Sequence, residues 1–207
     1  MADLVLTGGG GHCISILDTL YRIDENINAV ITDPDIKTGT KILRSVVVGN
    51  DECLEELYNS GCHKAFICIG SIKDTSIRRK LDQKLSQIGF NLINIIDSSS
   101  VVSEFTEMAE GIFIGKNAVV NAASTIGREV IINTGAIIEH ECHIGDFTHV
   151  ACGAVLCGGV SVGSDCLIGA GSTVIEGITI GSGVVIGAGS TVLRDVNDGE
   201  VVGGLVK

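Results

Sequence analysis

Large aromatic side chains are almost missing from this sequence. Tryptophan is absent, and two tyrosines and five phenylalanines make up 3% of the chain. A wide sandwich core filled by rings is excluded by that shortage, whereas a narrow core of stacked aliphatics is not. Proline occurs once, as Pro34. Basic residues are scarce, with 14 Lys and Arg against 25 Asp and Glu and a net charge of -11. That balance excludes a nucleic-acid partner, because neutralising phosphates takes clustered Lys and Arg. No apolar run reaches transmembrane length. The opening MADLVLTGGGGHC also lacks the basic and apolar regions of a signal peptide. A cytoplasmic protein with no membrane partner is the expectation. The eight cysteines then read as reduced thiols, buried or half-buried, and not as a disulfide scaffold.

What is abundant is glycine, 28 of 207 residues, within a chain that is 45% apolar. These residues are distributed with two different periods. Up to residue 97, short apolar runs (Asp3 to Thr7, Ala29 to Thr32, Ala65 to Gly70, Asn91 to Ile96) read as buried parallel strands. Lys41 to Val48 adds a further short strand. Between the runs, Cys13 to Ile23, Asp51 to Ser60 and Thr75 to Ile88 carry helical spacing. In the last of these, Ile77, Leu81, Leu85 and Ile88 form the apolar stripe, opposite Arg78, Arg79, Asp82 and Lys84. Alternating strands and helices predict a small open α/β sheet, a Rossmann-like domain over 1–97.

From Ile114 the period becomes six. Ile114, Val120, Ile126, Ile132, Ile138, Ile144, Val150, Leu156, Val162, Ile168, Val174, Ile180, Ile186 and Val192 are all aliphatic, and Met108 and Val102 extend the series backwards. The residue two before each of the fourteen is small or aliphatic, and the residue after it is often glycine. Self-similarity at a short fixed period marks a solenoid. Two inward positions per six suit a short strand and a tight turn, and three such units close a triangular coil. Residues eighteen apart then stack. The expected fold of 98–207 is a left-handed parallel β-helix, in which glycine after the aliphatic supplies the unusual φ of the corner.

The aliphatic rhythm is broken by ionisable groups in one place. Glu139, His140, Glu141 and His143 crowd between the inward residues Ile138 and Ile144. His140, two residues past Ile138, falls at a corner, and Gly158 stands eighteen residues later, one coil above it. An imidazole held by an adjacent carboxylate can take a proton from an amine or hydroxyl attacking a thioester. The backbone N–H of Gly158 can meet the developing oxyanion. Three other readings stay open. Three histidines on such a coil can ligate zinc, as in the carbonic anhydrases built on this fold, but a resemblance to those calls for a histidine near residues 104–116, where there is none. Cys152 or Cys157, both facing outward near the site, could be nucleophiles, while Cys142 and Cys166 fall in inward columns. Or His140 is a surface histidine without a role.

Gly8 to Gly11 follow the first strand and open a helix at His12, which makes an anion cradle of backbone N–H groups. A dinucleotide fingerprint would want glycine at Cys13, so NAD is not expected. Asp33 either accepts hydrogen bonds from a ribose or base, or forms a turn with Pro34.

With these residues the sequence resembles the hexapeptide-repeat acetyltransferases that carry a small N-terminal nucleotide-sugar domain. The resemblance covers nearly the whole chain and is most specific over Asn133 to Gly158; the GGGGH, ITD and IGS…IRRKL segments add to it. It implies a homotrimer with active sites between neighbouring coils and acetyl-CoA as co-substrate, without a metal. The acceptor is the amino group of a nucleotide-linked amino-deoxysugar. O-acetylation of a sialic-acid-like sugar and a non-catalytic binding or assembly role are the alternatives. Position by position, it implies His140 as general base, Glu141 as its carboxylate and Gly158 as oxyanion donor. Asn133 belongs to the acceptor site, His149 lies near the thioester, and Ala170 and Ala188 hold the pantetheine arm. Gly11, His12 and Cys13 contact the nucleotide-sugar, with Thr32 and Asp33 near its base. The chain departs from the family at Cys13, where glycine is usual, in a longer SIKDTS loop after Gly70, and at Gly203-Gly204-Leu205-Val206, which replaces Gly-Val-Pro-Ala.

Overall fold

A computed structural model of the chain describes residues 2–70 and 74–207. It divides into two compact units. One runs up to Gly70 and resumes over Ser76–Ile95, and the other contains Ile96–Lys207. Ser71 to Lys73, the first part of the SIKDTS loop, lie outside the described residues.

The first unit is built on strands β1 (Leu4–Thr7), β2 (Ala29–Thr32), β3 (Lys41–Ile42), β4 (Ser45–Gly49), β5 (Lys64–Ile67) and β6 (Asn91–Leu92). Helices α1 (Gly11–Ile23), α2 (Leu54–Asn59) and α3 (Ser76–Ile88) follow β1, β4 and β5. The sheet order is β3-β4-β2-β1-β5-β6, parallel except for the antiparallel β3–β4 pair. The single strand expected over Lys41 to Val48 is therefore two. Leu43, at φ 51, turns the chain back between them. This is a Rossmann-like order, whose switch point lies where β1 has β2 on one side and β5 on the other. The carboxyl ends there deliver Gly8 and Cys68. In α3 the apolar stripe begins one turn later than expected: Leu81 and Leu85 are buried and Ile88 packs on them, but Ile77 is 55% exposed and Arg78 is buried. Ile77 is not part of the apolar cluster that Leu81 and Leu85 join with residues of β1, β5 and β6.

The second unit is the β-helix. Three parallel sheets of seven, seven and five two-residue strands form its faces. Successive strands of one face pair eighteen residues apart, as in Ile138↔Leu156 and Ile144↔Val162. All fourteen aliphatics and all fourteen residues two before them are buried, in one cluster with serines, a threonine and cysteines interspersed. Each buried Ile, Leu or Val contributes about 1.5–3 kcal/mol relative to exposure. The inward hydroxyls are all used: Ser124 Oγ donates to Glu139 O at 2.9 Å, Thr148 Oγ1 to Gly163 O at 2.8 Å, and Ser172 and Ser190 close their own turns at 2.6 Å. At the start of the coil the pattern fades. Val102 is half-buried and Met108 is 37% exposed, because its coil has a neighbour on one side only.

The corner glycines do not work as expected. From Ile114 to Ile186, left-handed φ falls on the third residue after each inward aliphatic, whether Gly135 and Gly153 or Asn117, Glu141 and Phe147. The glycine immediately after the aliphatic has an ordinary φ, and its reason is spacing. A Cβ on Gly145 would stand 2.5 Å from the carbonyl carbon of Gly163 in the next coil. Coils stack at strand spacing, about 4.8 Å, and at this point there is no room for a side chain between them.

Candidate active site

His140, Glu141 and Gly158 come together at one corner of the β-helix. His140 Nδ1 lies 3.0 Å from Glu141 Oε2. A carboxylate only accepts, so the shared proton belongs to Nδ1 and the lone pair is left on Nε2. Glu141 reaches this position from a left-handed backbone, φ 59, which costs a non-glycine residue about 1–2 kcal/mol. The ring lies over Gly158: a Cβ there would meet Cε1 at 2.6 Å and Nε2 at 2.7 Å. Among the described residues, the N–H of Gly158 donates to no protein acceptor. An imidazole base with its orienting carboxylate and a free N–H one coil away can carry out acyl transfer without a covalent intermediate.

Asn133 and His149 meet at the adjoining corner. Asn133 Oδ1 accepts the Thr134 N–H at 2.8 Å, which leaves Nδ2 to donate to His149 Nε2 at 3.2 Å. Ala170 and Ala188 stack above Thr134 and Cys152 on that corner, and among the described residues their N–H groups are also without protein acceptors. Within one chain these two groups occupy different corners. His143, on the face that follows His140, points elsewhere, with Nδ1 2.7 Å from Thr125 Oγ1. Among the described residues no three His, Cys, Asp or Glu side chains gather as metal ligands.

Two inward side chains hold backbone carbonyls at the corner of His140 and Gly158. Ser124 Oγ donates to the carbonyl of Glu139, the residue before His140. One coil higher, the Cys142 thiol donates to the carbonyl of Cys157, the residue before Gly158, at 3.2 Å. The signal available in the sequence was a small polar residue in an otherwise apolar inward column. None of the eight cysteines forms a disulfide; Cys152 is exposed and Cys157 half-buried.

In the first unit the glycine turn has an open side and a closed one. Nothing lies within 4 Å of a Cβ built on Gly10 or Gly11, and α1 starts at Gly11 with no side-chain cap. Gly8 and Gly9 are closed in, with a Cβ on either meeting Ile69 or Ile36 at 2.7 Å. His12 is half-buried, beside Gly70. Three of the residues expected at the nucleotide-sugar have surroundings within the chain itself. Cys13 is fully buried and its side chain fills the core. Thr32 is buried and gives its hydroxyl to Asp51 at 2.7 Å. Asp33 accepts the N–H of Gly9 at 2.7 Å through one oxygen and those of Asp35 and Ile36 through the other. Both carboxylate oxygens thus hold the protein's own turn.

The family model described as bacterial transferase hexapeptide, six repeats, matches residues 141–176 and 159–194. A histidine variant of perosamine N-acetyltransferase from Caulobacter crescentus, solved with CoA and GDP-perosamine, is 36% identical. The match covers 99% of this chain and 94% of that one, with a TM-score of 0.91. The acetyltransferase domain of PglB from Neisseria gonorrhoeae FA1090, in complex with acetyl coenzyme A, is 28% identical over 99% and 97% of the two chains, TM-score 0.89. WeeI from Acinetobacter baumannii AYE, 20% identical over 99% and 97%, shares the fold with a TM-score of 0.84. No curated sequence matches the chain. Fold and site define the class, an acyltransferase on a left-handed β-helix. Identity along almost the whole chain narrows it further: the protein belongs to the hexapeptide-repeat sugar N-acetyltransferases.

Proposed function

We propose that the protein transfers the acetyl group of acetyl-CoA to the amino group of a nucleotide-linked amino-deoxysugar, with His140 as general base. The observation that carries this reading is the His140–Glu141 pair at 3.0 Å, with its ring stacked on Gly158. The similar Caulobacter protein binds CoA and GDP-perosamine, and two of its solved variants replace a histidine. As the amine attacks the thioester carbonyl, a C–N bond forms and the amine proton passes to His140 Nε2. Glu141 stabilises the imidazolium, and the N–H of Gly158 stabilises the oxyanion. Collapse breaks the C–S bond, and the imidazolium proton leaves with the CoA thiol.

In the single chain the side chains of His140 and Glu141 are 62% and 69% exposed. Water would screen a charge forming there, so a second wall is needed. A homotrimer supplies it by setting the corner of Asn133, His149, Ala170 and Ala188 of one copy against the His140 corner of the next. The half-exposed outward residues Val119, Ile137 and Val155 on the intervening face support such packing. Gly11 and His12 border the nucleotide-sugar; Cys13, Thr32 and Asp33 shape that turn from within. None of the eight cysteines is in a disulfide, which fits a reducing cytoplasm. Among the described residues no helix is long and apolar enough to cross a membrane.

The test is a panel of GDP-, UDP- and dTDP-linked 4-amino sugars offered with acetyl-CoA, following thiol release and the mass of the product. His140→Ala should lower kcat by at least about a hundredfold. An acetylated hydroxyl in place of an amide, or near-normal turnover in that variant, overturns the assignment.

A further inference from the structure

We propose that Cys142 is a positioning residue for the oxyanion-stabilising N–H, acting from inside the core; the inference rests on the reading of Gly158 as oxyanion donor. The thiol donates to the carbonyl of Cys157 at 3.2 Å. That carbonyl and the N–H of Gly158 belong to one peptide unit. Because the unit is planar and trans, fixing the direction of its C=O fixes the N–H in the opposite direction. A donor on the carbonyl also polarises the amide and strengthens its N–H as a donor.

The sulfur sits within the turn that carries Gly158. Besides Cys157 O, the backbone N–H groups of Gly159 and Val160 bear on it. Burial, the largest influence, pushes the Cys142 thiol up from its ordinary value, so its proton stays in place to be donated. The bond continues a ladder from the coil below, where Ser124 Oγ donates to Glu139 O at 2.9 Å and accepts the Cys142 N–H at 3.3 Å. On this corner the side-chain pegs stop there: the side chains of the next inward residues, Val160 and Ile178, have no donor, and the Val160 backbone N–H, at 3.3 Å, shares the Cys157 carbonyl with the thiol. Ser124 thus holds the peptide that enters His140, and Cys142 holds the one that enters Gly158. The same device recurs at the corner of Gly163 and Gly181, pegged by Thr148 and Cys166. It is an element of coil construction, placed under the two residues that react.

The experiment compares Cys142→Ala, Cys142→Ser and, as a control, Val160→Ala, which opens a cavity in the same inward column without removing a donor. Melting temperature, KM for both substrates and kcat are measured for each. Cys142→Ala should lose about tenfold in kcat with KM unchanged, the effect of weakening one oxyanion donor without deleting it. Cys142→Ser, which keeps a donor, should recover most of that loss. Val160→Ala should melt lower yet hold its kcat. Equal kcat for wild type and Cys142→Ala, or a serine variant no better than alanine, overturns the proposal. If the wild type acetylates no amino sugar, the proposed function fails instead, and the two outcomes are told apart by the wild-type assay alone.

Discussion

The imidazole of His140 lies so close over Gly158 that a Cβ on residue 158 would fall 2.6 Å from Cε1. Gly158 has an ordinary φ, so alanine there strains no backbone. The ring itself must move. Gly158→Ala should therefore fold as a stable β-helix and lose at least about a hundredfold in kcat, as His140 swings off its line to the acceptor. A variant that melts like wild type and keeps most of its turnover would show that the stacked position of the ring is not the reactive one.

Glu141 joins two roles that can be separated by substitution. Its carboxylate orients His140, and its backbone stands at φ 59. Glu141→Gln keeps the shape and removes the charge that stabilises the imidazolium; a loss of roughly ten- to a hundredfold in kcat is expected. Glu141→Gly should cost as much activity and yet leave stability within about 1 kcal/mol of wild type, since glycine accepts left-handed φ without penalty. Kinetics beside thermal melts check the pair. If glycine restores the activity lost with glutamine, the carboxylate is not what matters.

Two kinds of corner glycine should respond differently to alanine. Gly145 has ordinary φ, but a Cβ would collide with Gly163 at 2.5 Å, backbone against backbone. Gly153 has φ 65 and open space around its would-be Cβ. Gly153→Ala should cost about 1–2 kcal/mol, the left-handed penalty alone. Gly145→Ala should cost distinctly more, because two coils must part to admit the methyl group. Denaturant titration of both variants decides it, and the reverse order would sink the spacing argument.

That contrast also marks what could be read before the fold was known. The six-residue rhythm from Ile114 to Val192 gives the coil, and its eighteen-residue sum puts Gly158 over His140, because stacking follows from register alone. Which glycine tolerates a side chain does not follow from register; it depends on how near the next coil passes. Asp33 was ambiguous for a related reason. A carboxylate at a strand end serves a ligand or its own turn, and the 2.7 Å contact with the Gly9 N–H, twenty-four residues away, is visible only in the fold. Cys142 looked like a small apolar filler since its chemistry lies in one hydrogen bond to a residue fifteen positions away.

The thiols give a prediction about pH. Burial raises the thiol of Cys142 and of Cys166 above the ordinary value, and Cys53 and Cys62 shift the same way. The folded chain therefore keeps protons that the unfolded chain gives up. Where the folded state holds more protons, stability falls as pH rises. Their contribution is fully present below the ordinary thiol value and is lost as pH climbs from there through the raised folded values. Melts between neutral and strongly alkaline pH should show a steeper decline for wild type than for a Cys142→Ala, Cys166→Ala double variant, after normalising each to its neutral-pH stability. A thiol reagent at neutral pH should modify exposed Cys152 in the native protein and reach Cys142 and Cys166 only on unfolding. Identical alkaline slopes, or labelling of Cys166 in the folded state, would mean that the inward columns open to solvent more readily than their burial implies.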